Sequence, residues 1–317
     1  MTIQQCKRNV LDGKEITKEE ALFLAEADLE ELSAAADEIR RGFCGNDFDM
    51  CSVISVKGGR CPENCRFCSQ ASCSAAKVEA HALLDTDTIL NDARLRSEQG
   101  ICHYCLVSSG RRLSEREVDQ ICESIREICA NTSIKVCTSL GLLDEAAFRK
   151  LKKAGVSRIH NNLETSRSYF PSICTSHTYE DKLQTIHAAR RAGLEICCGG
   201  IFGIGETMED RIDMALVIRQ LDVTSVPVNL LDPVPGTPLG SRPVLTQDVV
   251  RRIIALYRFL LPKVYIRLAA GRDYLKDAGL SCFLSGSNAT ITGDMLTVMG
   301  ISVTEDLRTI RELGYHF

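Results

Sequence analysis

Three cysteines, Cys61, Cys65 and Cys68, stand at CxxxCxxC spacing within the run from Arg60 to Gln70. A thiolate trio this tight can hold three corners of a cubic [4Fe–4S] cluster, which takes cysteine sulfur as its ligand. No fourth cysteine continues the local spacing, so one iron is left open. An open iron can take an exogenous ligand through an amine and a carboxylate. A zinc knuckle or a set of buried thiols would use the same residues differently. Zinc, however, favours closed four-ligand sites and CxxC pairs, so the spacing points to iron.

A second set of residues is spread along the chain. Cys105, Cys137 and Cys197 each fall in a separate strand-like run, and Arg267 falls in another. Each cysteine alone reads as a small core hydrophobe. Three brought together beneath a cluster loop would make a second metal site. Cys51 opens the first strand-like run and can point the same way, whereas alternation turns Cys198 away from Cys197. The run from Cys102 to Cys105 could instead pair with Cys65 and Cys68 as a zinc ribbon. Arg267 in an apolar strand must be paired to be buried, and a salt bridge across the interior is its plain role. The Gly199–Glu206 run does not fit a dinucleotide fingerprint. It reads either as backbone approaching a flat ligand or as a tight turn. Asn161, Asn162, Glu164 and Asn229 close strand-like runs. Asparagine carries both donors and acceptors and suits a neutral amide or urea group, or else forms turns.

These residues need a scaffold. Strand patterns lie at 51–56, 101–107, 133–138, 157–162, 194–199, 224–229, 263–268 and 288–292. Helical patterns lie between them at 86–98, 114–129, 144–153, 179–192, 207–220, 246–260 and about 272–282. Ala154-Gly155 and Ala192-Gly193 are stop signals. Eight βα repeats predict an α/β fold, a (βα)8 TIM-type barrel over residues 46–317, with chemistry at the C-terminal ends of its strands. Pro227 inside the sixth strand removes a ladder donor. Residues 1–45 read as an N-terminal helical extension, opened in part by a capping box at Thr17 and Glu20.

Composition narrows the class. The 317 residues carry a net charge of −4, so there is no basic surface for nucleic acid. No run approaches a membrane span, and the polar N-terminus lacks a signal core. Sixteen cysteines in a chain read as cytoplasmic point to metal or redox chemistry rather than disulfides.

Taken together, the chain resembles the biotin synthase family of the radical S-adenosylmethionine superfamily, over nearly its whole length. The resemblance is carried by the three-cysteine loop, Cys105, Cys137 before Thr138-Ser139, and Asn162-Leu163-Glu164-Thr165-Ser166. It continues through Cys197 ahead of Gly199-Gly200-Ile201, Asn229, Gly236-Thr237-Pro238, and Arg267-Leu268-Ala269. It implies S-adenosylmethionine bound at the open iron of a [4Fe–4S] cluster on Cys61, Cys65 and Cys68. It also implies an auxiliary cluster on Cys105, Cys137, Cys197 and Arg267, [2Fe–2S] in the familiar pattern, that gives up sulfur to dethiobiotin at C9 and then C6. Glu164, Gly200, Ile201 and Lys182 would contact the cofactor, Asn162 would lie between cofactor and substrate, and Asn229 would hold the substrate. The family works as a homodimer, with flavodoxin or ferredoxin as electron donor. A non-catalytic metal protein, or another radical enzyme of maturase or lyase type, would use the loop without explaining Arg267.

The chain departs from the family at several positions. Cys51 replaces the usual serine, His103 and Lys182 stand where arginine is common, and His160 where asparagine is common. With Cys51, four thiolates converge, which suits a four-iron auxiliary cluster.

Overall fold

The computed structural model describes residues 1–294 and 300–317. Three helices, α1 (Ile3–Leu11), α2 (Lys18–Ala25) and α3 (Leu29–Cys44), precede the first strand. The capping box expected at Thr17 and Glu20 is formed. The chain then alternates β1 (Asp49–Lys57), α4 (Thr86–Glu98), β2 (His103–Ser108), α5 (Glu115–Asn131), β3 (Lys135–Ser139), α6 (Glu145–Ala154) and β4 (Arg158–His160). It continues with α7 (Tyr179–Arg191), β5 (Glu195–Cys197), β6 (Gly200–Phe202), α8 (Met208–Gln220), β7 (Ser225–Leu230), α9 (Gln247–Leu260) and β8 (Tyr265–Leu268). It ends with α10 (Leu280–Phe283), β9 (Ala289–Ile291) and α11 (Val303–Glu312).

Every strand pairing is parallel, and the order closes on itself: β5, β4, β3, β2, β1, β9, β8, β7, β6, with β5 also pairing β7. The short β5 and β6 are two halves of one stave, so nine segments make the eight staves expected. The break explains how Pro227 is tolerated. Cys197 pairs with Ser225, and Gly200 resumes the pairing at Val228. The missing donor of Pro227 faces the gap between them. Gly199 fills that gap so closely that a Cβ there would lie 2.0 Å from the Pro227 carbonyl oxygen.

Side-chain caps fix where each loop ends and its helix begins. Asp85, Ser114, Asp144, Thr178 and Thr207 each accept from the backbone N–H three residues on, filling an otherwise unpaired donor. One expectation fails: residues 272–282 are not one helix. They form a 3-10 turn, Arg272–Tyr274, and the four-residue α10, separated at Gly279, whose φ of 91° breaks the helical path.

The main apolar core lies between staves and helices. The barrel lumen holds its own small cluster of Cys51, Cys105 and Cys137, backed by Val53, Val107 and Ile291. The N-terminal helices pack against α8 and α9. There Arg219 donates to the Ile16 carbonyl (2.9 Å) and Arg252 to that of Ala27 (2.6 Å). No helix among the described residues is long and apolar enough to cross a membrane.

Candidate active site

A cavity of about 330 Å³ runs from the three-cysteine loop into the lumen. The loop leaves β1 and folds back on itself. Cys61 N–H donates to the Gln70 carbonyl (2.7 Å), Cys68 N–H to Cys65 (3.1 Å), and Gly59 N–H to the Gln70 side chain (2.9 Å). Cys68 reaches the cavity wall; Cys61 and Cys65 sit behind it, partly exposed. Burial pushes the Cys68 thiol above its ordinary pKa. Binding iron there must therefore displace a proton. Three unbridged thiols on one loop fit a cluster with an open iron.

Deeper in the lumen, register does the positioning. Cys105 pairs with Cys137, Cys137 with Arg158, and His160 with Cys197. All three cysteines and Cys51 line the cavity. Cys105 thus belongs to this set and not to a zinc ribbon with the loop. Contact with the Cys51 thiol, helped by the charges of Arg158 and His103 and opposed by burial, draws Cys137 below its ordinary pKa. The same contact, with burial, pushes Cys51 up. Burial also raises Cys105. Burial acts to raise Cys197 as well, but the His160 hydrogen bond and the nearby cations bring it below its usual value. Four thiols beside guanidinium groups, with Cys137 and Cys197 drawn toward the thiolate, form a donor set for iron.

Arg267 has the partners its burial demands. Its Nη2 donates to Asp49 Oδ2 (2.5 Å), Nη1 to the carbonyls of Thr290 (2.8 Å) and Asp49 (3.2 Å), and Nε to Ser225 Oγ (3.3 Å). Asp49 also accepts from Arg158 Nη1 (3.1 Å) and contacts His103 Nδ1 (2.7 Å). Burial works against the Asp49 charge, but Arg267, His103 and Arg158 together hold its carboxyl far below the usual range. Removing that carboxylate would strand two buried guanidiniums, at a cost of about 3–5 kcal/mol. Asp49 and Arg158 carry no motif, and sequence reasoning did not single them out.

Asn162, Glu164, Ile201 and Asn229 line the cavity; Gly200 and Lys182 stand behind its wall. Asn162 Oδ1 accepts from Gly199 N–H (3.0 Å), and Asn229 Nδ2 donates to the Gly200 carbonyl (3.0 Å). Both asparagines therefore brace the broken stave while facing the cavity. Gly199 and Gly200 serve close packing: a Cβ on Gly200 would lie 2.5 Å from the Glu164 carbonyl oxygen and 2.6 Å from Met214 Sδ. Glu164 sits at a φ of 70°, a conformation that costs a non-glycine residue energy and recurs at ligand sites. Its Oε2 is buried without a hydrogen-bond partner, and its Oε1 lies 4.0 Å from Lys182 Nζ. An orphaned carboxylate oxygen of this kind fits a ligand bearing hydroxyl donors, as a ribose does.

A further group was missed. Cys174 and His177 lie beside Cys65, the two sulfurs 3.7 Å apart, and Glu63 holds His177. The Cys174-x-x-His177 spacing was visible, but its partner loop lies over a hundred residues away.

The chain matches the model of the Radical SAM superfamily over residues 55–218 and that of the Biotin and Thiamin Synthesis associated domain over 227–316. It is 49% identical over 315 residues to a biotin synthase of Brachyspira hyodysenteriae, covering 99% of this chain and 95% of that one. It is 49% identical over 306 residues to one of Akkermansia muciniphila, covering 96% and 95%. Among solved structures, a methylornithine synthase superposes with a TM-score of 0.84 at 18% identity, over 98% of this chain and 96% of that one. A maturase of the [FeFe]-hydrogenase gives 0.84 at 19% identity, over 99% and 74%. At such identities these two speak for the fold alone.

Proposed function

Since the chain belongs to the biotin synthase family, we propose that it inserts sulfur into dethiobiotin to form biotin. The observation that carries this reading is the gathering of Cys51, Cys105, Cys137 and Cys197 in a lumen that opens toward the Cys61–Cys68 loop. When bound, the [4Fe–4S] cluster and S-adenosylmethionine supply the 5′-deoxyadenosyl radical that removes hydrogen at C9 and then C6, and the auxiliary cluster supplies the sulfur.

The protein positions and secludes that chemistry. Cys61, Cys65 and Cys68 hold the first cluster and leave one iron to the cofactor. Glu164 receives the cofactor with its free carboxylate oxygen, and Lys182 holds the charge of Glu164 in place. Gly200 lets the stave approach Glu164, and Ile201 packs beside the cofactor. Asn162 reaches between cofactor and substrate with its unused amide nitrogen, and Asn229 holds the neutral ureido ring. Asparagine does so without burying an unpaired charge. Residues 1–45 form the helical extension and 46–317 the barrel. Flavodoxin or ferredoxin delivers electrons, the working unit is a homodimer, and the compartment is the cytoplasm, where sixteen free thiols stay reduced.

Anaerobic incubation of reconstituted protein with dethiobiotin, S-adenosylmethionine and a reductant should yield biotin. Cofactor cleavage that leaves dethiobiotin untouched would instead place the chain with another radical chemistry.

The auxiliary site holds four thiolates, with Cys51 as the fourth ligand. What supports this is the contact of Cys51 with Cys137, together with the full engagement of the Arg267 nitrogens by Asp49, Thr290 and Ser225. Arg267 then acts by neutralising the anionic cluster, not by binding iron. Fully loaded protein should carry about eight irons per chain, by the stoichiometry of two four-iron clusters. Cys51→Ser should shrink only the auxiliary cluster in iron analysis and Mössbauer spectra. About six irons in the loaded parent, as [4Fe–4S] plus [2Fe–2S], would refute it.

A further inference from the structure

The segment Ile173–His177 is tied to the cluster loop at several points. Arg66 N–H donates to the Ile173 carbonyl (2.9 Å), Asn64 N–H to Ser176 Oγ (3.0 Å) and Asn64 Nδ2 to Thr175 Oγ1 (2.7 Å). Glu63, which lies in the loop between Cys61 and Cys65, receives Ser176 Oγ (2.7 Å), His177 Nδ1 and Arg111 Nη1 (3.3 Å). These contacts seat Cys174, only 4% exposed, with its sulfur 3.7 Å from that of Cys65.

The thiol hydrogen of Cys174 has few places to go. Asn64 Oδ1 is 3.5 Å away, but it already accepts from the backbone N–H groups of Thr175 (2.9 Å) and Ser176 (3.0 Å). Ser176 Oγ, also at 3.5 Å, accepts from Asn64 N–H and gives its own proton to Glu63. The two ring nitrogens of His177 lie 3.3 and 3.8 Å from the sulfur; Nδ1 is committed to Glu63, which leaves Nε2 as one acceptor. The sulfur of Cys65, 3.7 Å away, is the other. Once Cys65 binds iron it is a pure acceptor carrying negative charge, and it draws the thiol hydrogen more strongly than a neutral ring nitrogen does.

We propose that Cys174 donates an S–H···S hydrogen bond to the iron-bound sulfur of Cys65, held in aim by the Glu63–Ser176–His177 clamp, and so eases reduction of the [4Fe–4S] cluster. The inference rests on the cluster assignment made above. Hydrogen bonds to cluster sulfurs disperse the charge that an added electron brings, and they raise the reduction potential. Cys174 is thus a positioning and tuning residue, not a ligand.

The test is a redox titration of the reconstituted full-length protein, followed by electron paramagnetic resonance. The relevant signal is the one that changes when S-adenosylmethionine is added. A parent protein that forms no such cluster defeats the cluster assignment itself. Given the parent signal, Cys174→Val keeps the shape and loses the donor, Cys174→Ala loses both, and Cys174→Ser keeps a donor. At the parent's midpoint, the reduced-to-oxidised ratio should fall about three- to tenfold in the Val and Ala variants, the range a weak donor to an anion supports. The Ser variant should return toward the parent, with iron content equal in all. Equal midpoints in parent, Val and Ala overturn the inference, as does a Ser variant displaced as far as Val. If all three variants fail to load iron, the inference is also overturned, because Cys174 would then be holding the cluster rather than tuning it.

Discussion

A Cys68→Ala variant should release no 5′-deoxyadenosine above the level of iron-free protein. Cys68 is the one loop cysteine on the cavity wall, and its carbonyl receives Ala71 N–H to close the loop. Alanine leaves that backbone contact intact and removes only the sulfur. Two thiolates then remain for a four-iron cube that already has one iron without a protein ligand, and a cluster held at two corners does not persist. The same outcome is expected for Cys61→Ala and Cys65→Ala. The lumen cysteines come from β1, β2, β3 and β5, so auxiliary iron should survive in each variant. Iron analysis beside chromatography of the nucleoside separates the two clusters. Cleavage at the parent's rate in any of the three would sink the assignment of the loop.

Changing Cys137 instead should split the reaction into its halves. Cys137 touches Cys51 and Cys105 in the lumen and takes no part in the loop. In Cys137→Ala, 5′-deoxyadenosine should still form while biotin falls below detection, because the radical source is intact and the sulfur source is not. Cys105→Ala and Cys197→Ala should behave alike. The loss of one buried sulfur costs about 1 kcal/mol of stability, so the fold should persist. Biotin at the parent's yield from these variants would refute the placement of the sulfur source in the lumen.

The alternation of strand and helix patterns was enough to place all eight staves, because each buried strand and each capped helix is specified within about ten residues of itself. The lumen trio was legible for the same reason: stave positions imply which side chains meet inside. What could not be read came from contacts that only barrel closure creates. Asp49 meets Arg158 across 109 positions and Arg267 across 218. Neither link leaves a periodic trace. Cys65 and Cys174 likewise meet because the loops after β1 and β4 share one end of the barrel. The interruption of the fifth stave itself left no trace that could be read: Pro227 stood out only as a missing donor, and the glycines read equally as backbone near a ligand or as a tight turn, while Gly199 and Gly200 pack against Pro227, Glu164 and Met214. The 272–282 pattern was misread because apolar spacing says nothing of the positive φ at Gly279.

The link from Asp49 to two guanidiniums bears on how the lumen is filled. One carboxylate cannot cancel Arg158 and Arg267, so the floor of the barrel sets a cationic field under the thiols above it, and Cys137 and Cys197 are drawn below their ordinary pKa. Such a field is little screened by salt, since water and ions reach it only through the mouth. It lowers the cost of holding those sulfurs as thiolates, the form that binds iron. The barrel therefore readies its sulfurs as anions before any metal arrives, and the two guanidiniums then offset part of the charge of the thiolate-ligated cluster.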